Sequence, residues 1–234
     1  MADYLDRRAF LGTSVRVLAS GLAIASPFVG GLEQVLAGPE DTDNDKREKE
    51  LQKLYKEKGV KVGASPEEIQ KTIDRINHHR EQAFRHLVKK GLLEEEVIKA
   101  EVDPETTDAC NKHAAYLLIN NIPLTYRRAH SEDKITNPLG YTDEGAKIAQ
   151  FSSPTDTEKP SKCIDDPFMA TVFHQKPFIN PRAKRYGIGY AEGKGRNICV
   201  VGVDINYLNK VNLVAVLYPA PNQSEVPLQF TKQR

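Results

Sequence analysis

Histidine is the side chain with which this protein could do chemistry near neutral pH, and the chain holds six: His78, His79, His86, His113, His130 and His174. His174 stands out by its setting in the stretch Cys163–Tyr190, CIDDPFMATVFHQKPFINPRAKRYGIGY. Asp166 followed by Pro167 predicts a helix start, because an acidic N-cap accepts a free amide and proline fits the first helical position. His174 then falls in the last turn, Pro177 and Pro181 end the helix, and Gly187-Ile188-Gly189-Tyr190 opens a strand. A histidine where a short helix breaks into a proline-spaced loop is held at the surface end of a fold. His78 and His79 are neighbours and so face different sides of one helix, poor geometry for a shared metal. With His86 they read as surface or boundary residues. His113 lies on an apolar stripe and reads as a core histidine bonded to a neighbour.

Other reactive types offer less. Ser131 beside His130 makes no triad, since adjacency in sequence does not give the base-to-nucleophile geometry. No G-x-S-x-G elbow and no phosphate-cradling G-x-x-x-x-G-K occurs, and Gly193-Lys194-Gly195 reads as a turn. Cys110, Cys163 and Cys199 form no C-x-x-C pair. One disulfide with one buried thiol fits an oxidising compartment, three buried thiols fit as well, and the sequence selects no pair.

The elements that must position these residues are legible from caps and spacing. Ser65-Pro66-Glu67-Glu68 is a capping box, followed by Ile69, Ile73, Ile76, Ala83, Phe84 and Leu87 at helical spacing, with Gly91 as the stop. Asp103-Pro104 starts a second helix with Cys110, His113, Ala114, Leu117 and Leu118 on one stripe, ended by Asn120, Asn121 and Pro123. From Leu124 to Ser161 only one short helix, Thr142 to Phe151, is convincing, and a stretch this long is expected to be functional or mobile. It carries His130 and Glu144. Two strands follow, Arg185–Ala191 and Asn197–Ile205, joined by a Gly-rich turn. Both are apolar on successive residues, which predicts a sheet covered on its two faces by helices.

The flanks differ in character. Asp6-Arg7-Arg8-Ala9-Phe10-Leu11 resembles a twin-arginine export signal, with the uncharged run Val17–Leu32 as its apolar region, so residues 1–37 are read as an address and the protein as exported. A disordered or amphipathic N-terminus is the alternative, and an uncleaved signal would anchor the chain in a membrane. Residues 38–64 are dense in charge and read as a linker that could form a loose helix, with Leu51, Leu54 and Tyr55 its only apolar hold. Residues 207–234 read as a C-terminal extension, where Val211–Tyr218 could add a strand. With 33 basic and 32 acidic residues among 234 the protein is nearly neutral, which removes the electrostatic case for nucleic acid.

A family resemblance ties three of these segments together. Phe168-Met169-Ala170-Thr171-Val172-Phe173-His174, with Pro177, Pro181 and Gly187-Ile188-Gly189, resembles the "W-M-x-S-P-x-H-R … P … I-G-x-G" segment of bacterial CAP-domain proteins, the SCP-like extracellular family. Ala129-His130-Ser131-Glu132 resembles the His-Ser after that family's early helix, and Glu144-Gly145-Ala146-Lys147-Ile148-Ala149 its "G-E-N-I-A" element. Together they span residues 65–206. Phe168 stands where tryptophan is usual, Gln175 where arginine is usual, and Glu144 precedes its glycine instead of following it.

The resemblance implies an α/β fold, a three-layer α/β/α sandwich with a small, mostly antiparallel sheet. It also implies a cleft in which His130, Glu144 and His174 hold a divalent metal such as zinc, although spacings of 14 and 30 residues do not force them together. Neutral imidazole and carboxylate suit zinc, and three protein ligands leave a position open. Asp165 is a candidate fourth ligand, Asp166 being better explained as a cap, and Glu132 a weaker one. The alternative is a polar cleft whose histidines and glutamate bond to one another without metal, with Glu144 as a helix-start carboxylate. The function implied is a secreted, non-catalytic module binding an extracellular or cell-envelope ligand. The rivals are a metal-dependent hydrolase (peptidase or esterase) with Glu144 as its base and a purely structural interaction domain.

Overall fold

The computed structural model describes residues 43–125, 127–170 and 172–204. The expected export segment 1–37, the start of the charged stretch at 38–42, the expected strand at 211–218 and the extension 207–234 lie outside the described residues. The described chain runs α1 (Asp43–Lys58), β1 (Lys61–Val62), α2 (Pro66–Lys89), α3 (Glu95–Ile98), β2 (Glu101–Val102), α4 (Pro104–Ile119), α5 (Asp143–Ala149), β3 (Ser152–Asp156), α6 (Pro160–Cys163), a π-type turn (Ile164–Phe168), α7 (Val172–Phe178), β4 (Arg185–Gly193) and β5 (Arg196–Val203). It is a mixed α/β fold with one small sheet. Strands run in the order β1-β4-β5-β3, all antiparallel neighbours, and β2 adds a short parallel pairing to the start of β4.

The two long helices start where their caps say. Ser65 Oγ accepts from Glu68 N at 3.2 Å and Asp103 Oδ2 from Thr106 N at 2.8 Å, each followed by proline in the first turn. Their apolar stripes serve different clusters. Cys110, Ala114, Leu117 and Leu118 of α4 pack with Leu51, Tyr55, Ile148, Ala191, Ile198 and Val200. Ile73 and Ile76 of α2 pack with Cys163, Ile164, Phe168, Phe178, Tyr186, Ile188, Cys199 and Val201. Alternate residues of β4 and β5 therefore enter different clusters, as the pleat requires, which explains why both strands read as continuously apolar.

The glycines of β4 do more than open a strand. A Cβ on Gly187 would collide with the Thr106 carbonyl and one on Gly189 with that of Cys110, so only glycine lets the α4 backbone lie this close. Helix α4 then supplies acceptors to the strand. Ile188 N donates to Thr107 Oγ1 at 3.3 Å and Tyr190 N to Asn111 Oδ1 at 3.0 Å, serving β4 between its short pairings with β2 and β1. The β4–β5 hairpin turns through Lys194 and Gly195, both at positive φ (51° and 74°), as a two-residue turn matched to strand twist demands.

Three expectations change. The loose helix expected in the charged stretch is α1, and it is packed, with Leu51 and Tyr55 buried in the α4 cluster. Between Leu124 and Ser161 the chain forms β3 in addition to α5, pairing Ser152–Asp156 with Ile198–Gly202. Ser-Ser-Pro-Thr-Asp has little strand character, and Pro154 is tolerated because β3 is an edge strand. Finally, the helical path to His174 begins at Pro160. Asp166 is an extended kink within it (φ −141°, ψ 116°), because a proline at 167 disfavours helical geometry in the residue before it. Helix α7 carries His174 in its first turn and runs through Pro177, since one proline forfeits one bond only; Ile179 N still reaches Gln175 O at 3.0 Å.

Candidate functional site

The site is built outward from α4. His113, wholly buried, faces the loop after that helix with both nitrogens: Nδ1 is 2.9 Å from Glu132 Oε1 and Nε2 2.9 Å from Ala129 O. A carbonyl oxygen only accepts, so Nε2 carries a proton. A second proton is then shared across the Nδ1–Oε1 contact, giving either imidazolium and carboxylate or neutral imidazole and carboxylic acid. The pair is neutral in both forms. Burial pushes the Glu132 carboxyl above its ordinary range and the bond to His113 pulls against this, while Thr142 N donates to Oε2 at 3.2 Å. A side chain on Gly145 would collide with Glu132 Oε1, so the first turn of α5 closes over this carboxylate only through glycine. One turn along α4, Tyr116 stacks near His113 and its hydroxyl accepts from Asp133 N at 2.8 Å.

These bonds at Ala129, Glu132 and Asp133 fix the residue between them, His130. Its Nδ1–H donates to Ala149 O at the end of α5, at 3.3 Å. His174 comes from the other side of the chain, its ring 5.6 Å from that of Phe168 and tilted by 59°. Burial lowers the pKa of both imidazoles; the nearby His113 adds to this for His130, and His130 adds to it for His174. The structure thus brings His130 and His174 into one electrostatic neighbourhood and holds both toward the neutral form, the form that ligates metals and accepts hydrogen bonds.

The other expected ligands stand elsewhere. Glu144 is an exposed carboxylate in the first turn of α5 and lines two grooves, one with Asp103, Thr106, Phe151 and Asp204, the other with Asp45, Glu48 and Lys112; neither has His130 or His174 on its walls. Asp165 is taken up by α2. Arg75 Nε lies 2.6 and 2.7 Å from its two oxygens and His79 Nε2 2.6 Å from Oδ1. Burial would raise its pKa, but these partners outweigh burial and hold the carboxyl below its ordinary value. Asp166 makes the kink. Among the described residues no group of three or more His, Cys, Asp or Glu side chains is placed to hold a metal ion. Two imidazoles fall short of the three protein ligands typical of a resident catalytic zinc.

Sequence reasoning set His113 aside as a core residue, and it is one, but it also fixes the loop that carries His130. Glu132 was ranked below Glu144; its position two residues after His130 was the available signal. Arg75 and Arg80 carry no local signal, and His79, read from the sequence as a surface or boundary residue, is wholly buried against Asp165; the partners of all three lie 86 to 106 residues away, beyond any local pattern.

No protein-family model, curated protein or solved structure matches the chain.

Proposed function

We propose that this protein is an exported CAP-type, SCP-like domain, a three-layer α/β/α sandwich, acting as a non-catalytic binding module outside the cytoplasm. Its ligand is an extracellular or cell-envelope lipid, glycan or protein. The reading is supported by the electrostatic influence of His130 on His174. These residues come from two separately resembling segments, one in the loop braced by α4 and one in α7, and each has its pKa lowered by burial and by a neighbouring histidine. An imidazole held toward its neutral form is a borderline donor that suits a cation such as zinc. With two protein ligands a zinc ion would be held loosely and share its remaining positions with water or ligand.

Calorimetric titration of the full chain with zinc tests this. One weak site, lost in both His130→Ala and His174→Ala and unchanged in Glu144→Gln, is the expected result. Binding untouched by either histidine variant would overturn the site. Zinc-dependent turnover of a peptide and ester panel, abolished in His174→Ala, would replace the binding module with a hydrolase.

A further inference from the structure

The sequence selects no pair among three cysteines; their placement does. Cys163 Sγ and Cys199 Sγ are 3.3 Å apart, both wholly buried in the cluster under α2. Cys110 belongs to the other cluster, where its sulfur packs against the position of Gly202, so it lies across the sheet from the other two. We infer that Cys163 and Cys199 are a site of covalent modification, forming a disulfide with each other when the chain folds in the presence of a disulfide donor, with Cys110 left as the single thiol. Sulfurs already in contact require only a small inward movement to bond.

The exchange is balanced by a donor of the glutathione-disulfide type. One cysteine thiolate attacks a donor sulfur and expels one donor thiolate, leaving a mixed disulfide. The second cysteine thiolate attacks the protein sulfur of that intermediate and expels the other donor thiolate. Two protein thiols lose two protons and two electrons; the donor is reduced to two thiols. In the folded protein the reaction is suppressed. Burial, with Cys199 beside it, pushes the Cys163 thiol well above its ordinary pKa, and it donates to Pro160 O with Sγ and oxygen 2.7 Å apart. The thiolate is the nucleophile, so bridging belongs to the folding chain, before β5 and α6 close on each other.

The bond joins sites 36 positions apart and has a structural consequence. Cys163 ends α6, directly before the π-type turn and α7, and Cys199 lies in the central strand β5. The disulfide would fasten the segment that leads to His174 onto the sheet. Because this rests on sulfur positions alone, it stands or falls separately from any ligand at the imidazole pair.

Refolding the denatured full chain in a reduced–oxidised glutathione buffer tests the inference. The expected product is lighter by two hydrogens, has one alkylatable thiol after denaturation, and yields a peptide linked through Cys163 and Cys199 on digestion without reductant. Cys110→Ser should give the same link with no free thiol, and its Tm should drop by several degrees on reduction. Native protein kept reduced and then given the same donor should bridge at least tenfold more slowly than the refolding chain, which is a consequence of thiol burial. Three alkylatable thiols in refolded protein of native circular dichroism, or any link through Cys110, would overturn it. The wild-type map decides the matter even if a Cys163 or Cys199 variant fails to fold.

Discussion

Replacing Arg80 by methionine tests how the approach to His174 is held. Arg80 is fully buried in α2, and its Nη1 donates to Phe178 O at 2.8 Å, Asn180 O at 3.0 Å and Tyr186 Oη at 3.0 Å. The guanidinium also lies 5.3 Å from the Phe84 ring centroid and 5.9 Å from that of Tyr186. It thereby clamps the exit of α7 onto α2 and β4. Methionine keeps the aliphatic stem but leaves the Phe178 and Asn180 carbonyls without this donor, at roughly 1–3 kcal/mol each. Tyr186 loses less, because its hydroxyl still donates to Pro177 O at 2.8 Å. Relief of a buried charge offsets part of the loss, so the net destabilisation is about 3 kcal/mol. For a domain of this size that is a Tm lower by roughly 6–12 °C and a urea midpoint lower by about 1 M at unchanged slope. Urea melts followed by circular dichroism measure it. A loss under about 1 kcal/mol would refute the clamp, since even one orphaned carbonyl costs that much.

Two further outcomes follow from other parts of the fold. Gly189→Ala should destabilise by about 3 kcal/mol or more, because its new methyl meets the Cys110 backbone carbonyl and no flexible side chain can give way; thermal melts of this variant beside Ile188→Val, expected to cost about 1 kcal/mol, separate the clash from ordinary core trimming. Stability should also decline as pH falls. His130 and His174 have folded pKa values below the unfolded value of 6.5, so the unfolded chain binds more protons below that pH and folding loses free energy as pH drops through 6.5 toward the folded values. Replacing His174 with Gln should flatten this slope between pH 7 and about 5 in urea melts, and an unaltered slope would remove its burial from the account. Asp165, whose pKa is lowered, acts in a separate window: its contribution is present above its unfolded value of 3.8 and lost in stronger acid.

What the sequence disclosed divides along the range of the forces involved. The starts of α2 and α4 were legible because Ser65, Pro66, Asp103 and Pro104 act on amides three residues away. The hairpin at Lys194 and Gly195 was legible for the same reason. Gly187 and Gly189 could be read as belonging to a strand, but not as the bed of α4, because the atoms that exclude a Cβ come from Thr106 and Cys110, some eighty residues earlier. Leu51 and Tyr55 promise no more than a loose helix by themselves; a cluster supplied by α4 and β5 buries them. Strand β3 was invisible because its pairing with β5, rather than the propensity of Ser-Ser-Pro-Thr-Asp, makes it a strand. At the candidate site, the spacing that set His130 and His174 apart in the sequence is matched by half-buried positions in which each imidazole is held toward its neutral form. Which acid is drawn inward was not legible, since His113 on α4 takes up Glu132 and leaves Glu144 exposed, and Asp165 is drawn away by Arg75 and His79.

The most direct test of the imidazole pair is a histidine-selective NMR titration of the full chain, first with pH and then with zinc, using His130→Gln and His174→Gln to assign the rings. The account predicts that both rings titrate below the ordinary histidine value, that removing His130 raises the pKa of His174, and that substoichiometric zinc shifts both resonances together. Two rings that titrate independently at the ordinary value, with zinc moving neither or only one, would contradict it.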